Sequence, residues 1–249
     1  MPPARRSAAE WEKAADAYGY EPYDPLNRVS LGRSVESALM ARPLTPLDKV
    51  PPFWGSGIYS LYAGAGADTA GLYAPLVGTP APVYVGQARA RGARKGLEIA
   101  DIPERSRALW SRVDEHRASV EQAADLDVQV FLVRWLVSDE LFVPMAEALM
   151  INTYLPVWNR VVGGFGNHDP GAGRRQQARS QWDTLHPGRS WAVALVESVH
   201  ARPDLARLVT DHLKAHPPQL APAVPPVPSP GTADLLRPDE PDDGPPEAG

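Results

Sequence analysis

The chain has 249 residues, no cysteine and a formal net charge of −5 at pH 7. Without cysteine there can be no disulfide framework, thiolate metal site or cysteine nucleophile, so any metal must be held by oxygen or imidazole ligands. The length allows one sizeable core with appendages; with no apolar run near the ~20 residues of a membrane-spanning helix and no apolar stretch between Met1 and Glu10, a soluble, unexported protein is expected.

In chain order, residues 1–50 combine a predicted helix over 8–18 with a proline-punctuated stretch ending in Pro51-Pro52, and read as an arm packed on a core. Residues 57–62 predict a strand, because Ile58, Ser60 and Tyr62 alternate with Tyr59 and Leu61; residues 82–85 predict its partner, with a Gly/Ala-rich insert between them. Residues 104–123 predict a helix with Leu109, Val113 and Val120 on one side and Arg112 and His116, four apart, sharing a face. The apolar density of 127–137 predicts a buried strand. Ser138 is positioned to cap the next helix, which runs to about Leu155 with Met145, Ala146, Leu149 and Met150 as packing residues, Glu147 among them and Pro156 as its stop.

The order β-β-α-β-α predicts an α+β fold, a small mixed central sheet flanked by helices, within a domain spanning 51–215. Residues 216–249 are expected to form a disordered, Pro-rich acidic tail: the last 33 residues hold eleven prolines and too little apolar surface to offset ordering entropy. They also hold six acids against one base, whereas residues 1–216 carry 24 of each. The net acidity is therefore a property of the tail and does not exclude a polyanionic partner. Only four of the 25 basic residues are lysine. Arginine suits bidentate contacts to phosphate or guanine, although codon bias in a GC-rich genome would produce the same excess.

Six residues recur as candidates for chemistry: Tyr59 in Gly57-Ile58-Tyr59, Tyr84 in Tyr84-Val85-Gly86, then Arg112, His116, Glu147 and Asn159. Hydrolysing a phosphodiester needs a base, positive charge on the phosphoryl oxygens and help for the leaving oxygen. A tyrosine of ordinary pKa near ~10 serves as base only if something takes its proton, and His116 is the nearest acceptor in the pattern. Glu147 is the one strong metal-ligand candidate, in keeping with Mg2+ held by a carboxylate, waters and substrate oxygens. Each residue also has a plain structural reading: tyrosines in a strand core, Arg112 and His116 on a solvated face, Glu147 paired with an arginine, Asn159 in a turn.

The ordered set resembles the active site of GIY-YIG nucleases. With Gly163-Gly164-Phe165-Gly166-Asn167-His168-Asp169-Pro170-Gly171 and the segment from Trp182 to Arg189, it is similar to the Eco29kI-type restriction endonucleases, which also carry a long insert between the two tyrosine motifs. The resemblance implies that Tyr59 and His116 act with an attacking water, Arg112 neutralises phosphoryl charge, and Tyr84 positions phosphate or water. It also implies that Glu147 holds one Mg2+ per site, with Mn2+ as a possible substitute, and that Asn159 holds the site or a phosphate. A Type II enzyme of this kind would be a prokaryotic, cytoplasmic homodimer that cuts double-stranded DNA at a GC palindrome, CCGCGG in family members, beside a cognate methyltransferase. Candidate DNA-binding residues are Arg89, Arg91, Arg94 and Lys95 on one side and Arg174, Arg175, Gln176, Gln177, Arg179 and Arg189 on the other. A second metal site at His168, Asp169 and His186 competes with a structural role for those residues. A repair or homing nuclease on the same module, and a noncatalytic DNA-binding protein, are the rival readings.

Overall fold

A computed structural model describes residues 28–66, 71–90 and 106–218, with Ser7, Ala9, Glu10 and Lys13. Most of the helix expected over 8–18, the candidates Arg91, Arg94 and Lys95, and the tail from residue 219 onward lie outside the described residues.

Four strands form one sheet in the order β1-β4-β2-β3, where β1 is Thr45–Pro46, β2 Gly57–Ala63, β3 Tyr84–Ala88 and β4 Phe131–Val137. The expected α+β class is observed. The sheet, expected to be mixed, is antiparallel at every pairing. β3 and β4 run the same way but never touch, because β4 docks on the far side of β2 and leaves β3 as an edge. The predicted strand over 127–137 is shorter at its start, since the Asp127 carboxylate accepts a hydrogen bond from the Gln129 N–H and tightens Val128–Val130 into a 3-10 turn.

Alternation along β2 assigns its two faces. Tyr59 and Leu61 enter the main core with Leu109, Val113 and Val120 of helix α2 (Ala108–Gln122), while Ile58 joins Val85 in a second core against helix α3 (Val143–Tyr154). Burying each such side chain contributes about 1.5–3 kcal/mol. The arm expected over 1–50 is partly built into this second core. Helix α1 (Arg28–Met40) seats Leu39 there, and Gly32 lies so close to α3 that an added Cβ would come within 3.1 Å of Leu149.

Ser138 does not cap α3. Asp139 instead accepts from the Leu141 N–H, and the helix starts five residues after Ser138, where Pro144 occupies the first turn without needing a donor. Its end comes where predicted, with Leu155 in the left-handed region (φ 46°) and Pro156 unable to continue the helix. Four further helices follow: α4 (Val157–Arg160), α5 (Gln181–Leu185), α6 (Ser190–Val193) and α7 (Arg202–Ala215). Among the described residues no helix is long and apolar enough to cross a membrane.

Candidate active site

The register of the first two motifs puts Tyr59 directly opposite Gly86. The Tyr59 ring crosses this position: a Cβ on Gly86 would lie 2.4 Å from the Tyr59 hydroxyl and 2.8 Å from the Tyr84 ring. Glycine is required there by space, not by its backbone angles. Gly57 meets a similar limit, with the Leu136 carbonyl 2.1 Å from where its Cβ would be. Both glycines of the paired motifs thus let strands and rings approach one another.

His116, on the buried face of α2, places Nε2 2.6 Å from the Tyr59 hydroxyl. The imidazole lies flat on Phe165 (centroids 4.2 Å apart, 15° between planes) and edge-on to Tyr84. Burial, aided by the positive charges of Arg112 and Arg189, holds its pKa well below the ordinary histidine value, so it is neutral, and with its proton on Nδ1 its Nε2 would accept a hydrogen bond from the Tyr59 hydroxyl. Tyr59 is pushed well above the usual tyrosine range, mainly by burial and then by the charge of Tyr84, with Arg112 opposing. The pair is a neutral phenol hydrogen-bonded to a neutral imidazole.

The folded chain thus refuses at His116 a proton that the unfolded chain accepts near pH ~6.5. Stability should therefore fall as pH drops from about 6.5 toward the depressed folded value. Thermal unfolding in pH steps is expected to show this loss in the native protein and a shallower one in His116→Asn. Equal slopes would mean that His116 is not held neutral.

Arg112 is held from three sides. Nη1 donates to Glu115 Oε2 (2.9 Å) and to His168 Nε2 (2.7 Å), and Nη2 donates to the Gly166 carbonyl (2.8 Å). Its charge lowers the hydroxyl pKa of Tyr84, opposing the larger upward effect of burial, and Glu147 adds a smaller upward effect. Glu147 thus lies near enough to act on Tyr84 although it comes from α3 on the other face of the sheet.

The Glu147 carboxylate is half-buried, its pKa raised by burial and eased down by Gln87 and Arg89. Gln87 Nε2 donates to Glu147 Oε2 and Gln87 Oε1 accepts from Arg89 Nε. Sequence reading passed over Gln87. Its one signal was an amide two residues beyond Val85 on the same face of the strand.

Asn159 clamps backbone rather than reaching outward. Its Oδ1 accepts from the Val85 N–H and its Nδ2 donates to the Val85 carbonyl, both at 2.8 Å, while the Trp158 N–H bonds the Val83 carbonyl. A paired edge strand keeps Tyr84 in place.

Arg189, expected among the DNA-binding residues, is 1 % exposed. All five of its donors are engaged internally: Nε and Nη2 bond the two Asp183 oxygens, Nη1 the carbonyls of Phe165 and Asn167, and Nη2 also the Gly164 carbonyl. No donor is left for DNA, and the residue instead pins the loop that carries Phe165. Arg179 is half-buried and caps the end of α6 through the Ala192 and Val193 carbonyls. Arg174, Arg175, Gln176, Gln177 and Arg89 are exposed.

The alternative site at His168, Asp169 and His186 does not assemble. His186 is buried between the Tyr73 hydroxyl and Asp125, His168 faces Arg112, and Asp169 accepts from the Gly171 N–H. No group of three or more candidate metal ligands occurs among the described residues.

Two tyrosines on adjacent antiparallel strands, a histidine and an arginine on the following helix, and a carboxylate on the next stand in the order and on the elements of the GIY-YIG pattern. The family described as the Eco29kI GIY-YIG domain matches residues 51–213, and the chain belongs to that family. It is accordingly a restriction-type nuclease acting on DNA. No curated protein matches the chain.

Proposed function

We propose that this protein is a Type II restriction endonuclease that hydrolyses both strands of a GC-rich palindrome, CCGCGG by resemblance, as a homodimer in the prokaryotic cytoplasm. The observation that carries the chemistry is the 2.6 Å contact between the buried Tyr59 hydroxyl and neutral His116. Because burial keeps Tyr59 protonated, it can take a proton from water only while passing its own to His116 Nε2. The water oxygen then bonds phosphorus, the bond to the 3′ oxygen breaks, and that oxygen leaves with a proton from solvent. Arg112 neutralises the phosphoryl oxygens and Tyr84 orients phosphate or water.

Glu147 suits a hard divalent cation. One carboxylate oxygen is oriented by Gln87, the other has no hydrogen-bond partner among the described residues, and Mg2+ is commonly held by one or two carboxylates plus waters and phosphate oxygens. Mg2+, or Mn2+ in its place, would supply Lewis-acid stabilisation of the leaving oxygen. Exposed Arg89, Arg174, Arg175 and Gln177, with Arg91, Arg94 and Lys95, are proposed to contact DNA. A methyltransferase of the same specificity would protect the host chromosome.

The purified protein, incubated with unmethylated plasmid in Mg2+ or EDTA, is expected to give discrete, Mg2+-dependent fragments whose sequenced ends fall within CCGCGG. Discrete ends elsewhere would discard the assigned site and keep the chemistry. DNA binding without cutting under any divalent ion would favour a noncatalytic role.

A further inference from the structure

We propose that His168 is a second ligand of the scissile phosphate and that it takes up a proton as DNA binds. The inference rests on the nuclease reading above and adds a substrate contact to it.

His168 Nε2 lies 2.7 Å from Arg112 Nη1. A guanidinium has donors and no acceptor, so Nε2 must present its lone pair here and the ring proton sits on Nδ1. Nδ1 is 3.8 Å from Glu115 Oε2, the carboxylate that also bonds Arg112. The His168 side chain is 64 % exposed, whereas His116 and His186 are each 1 % exposed. His168 is therefore the histidine beside Arg112 that substrate can touch.

Its position is set from behind. Arg189 holds the carbonyls of Gly164, Phe165 and Asn167, and the Gly166 carbonyl is bonded to Arg112 itself. The loop therefore delivers His168 to Arg112 with little freedom to lose.

An incoming phosphate competes with His168 for Arg112 Nη1 and, being anionic, is the stronger acceptor. Once displaced, the Nε2 lone pair would point at a phosphate oxygen and be repelled. Protonation turns it into a donor, giving a second charge-assisted hydrogen bond to the same phosphate. Histidine is the side chain whose ordinary pKa lets this happen near neutrality. The charged and titratable groups around it favour that outcome on balance: Glu115 and the arriving phosphate attract the proton, Arg112 opposes it, and His116 is buried and neutral. The Asp169 carboxylate is engaged by the Gly171 N–H, and the Tyr84 hydroxyl lies beyond Gly166.

The test is calorimetric titration of the full-length protein, in EDTA to prevent cutting, with a short unmethylated duplex containing CCGCGG. Buffers of different ionisation enthalpy report the protons taken up. The native protein is expected to take up a net fraction of a proton per site on binding near pH 7, with binding tightening as pH falls through the neutral range by less than about tenfold per unit. His168→Gln, an exposed substitution whose folding a thermal melt checks, should bind with little proton uptake and a flatter pH dependence. Native binding without proton uptake, or equal uptake by His168→Gln, overturns the proposal while leaving the nuclease reading intact if plasmid is still cut. Native protein that neither binds the duplex nor cuts plasmid overturns both.

Discussion

Glu147→Ala is expected to abolish cleavage, lowering single-turnover rates by at least about a thousandfold, while duplex affinity stays within a few-fold of native. The size follows from the distinct work of the residue. Glu147 is the one half-buried carboxylate in contact with Gln87 and felt by Tyr84, and among the described residues it belongs to no group of three or more candidate metal ligands. Losing one preorganised electrostatic element in an active site costs on the order of 10²–10³ in rate, and losing a metal's anchor costs more. Binding should survive because the proposed DNA contacts are arginines elsewhere. Folding should survive too. Gln87 loses one partner at a cost of about 1–3 kcal/mol, partly offset by removing a carboxylate whose burial is unfavourable. Rapid-quench cleavage assays, gel-shift binding and a thermal melt would measure all three quantities. Cleavage retained within tenfold of native would remove Glu147 from the catalytic set.

Arg189→Lys should behave quite differently from the loss of a DNA-reading arginine. Lysine is a point charge with three donors and cannot reach the two Asp183 oxygens and three loop carbonyls that the planar guanidinium holds at once. Leaving at least two of these buried acceptors unsatisfied, at about 1–3 kcal/mol each, costs about 3–5 kcal/mol in all. At ~2–4 °C per kcal/mol for a domain of this size, the unfolding midpoint should fall by roughly 10 °C. Activity should fall with it even below the midpoint, because the freed loop carries Phe165 away from His116 and the Gly166 carbonyl away from Arg112. Differential scanning calorimetry beside cleavage at low temperature separates the two effects. A variant with native stability and altered sequence preference would return Arg189 to the DNA interface and refute the buried role.

The same fold explains why the expected helix cap at Ser138 and the predicted DNA contact at Arg189 went astray in a similar way. Both residue types are suited to the assigned task, and both assignments depended on what lay beside the residue in space. Asp139 took over the turn at the start of α3, and Asp183 with three loop carbonyls took over the guanidinium. Helix α1 was missed because Val35, Leu39 and Met40 are too sparse an apolar stripe to announce a helix, and their burial comes from docking on α3.

By itself, the sequence determined the α+β class, the two tyrosine motifs on strands, the face shared by Arg112 and His116, and the helix carrying Glu147 that stops at Pro156. All of these follow from local periodicity and backbone chemistry, which act over a few residues. Only the tertiary structure decided the antiparallel sheet, the 2.6 Å Tyr59–His116 contact across 57 positions, the Gln87 hold on Glu147, the Asn159 clamp on Val85 and the burial of Arg189. Hydrogen bonds and desolvation depend on which groups meet when distant segments pack, and no local spacing encodes that.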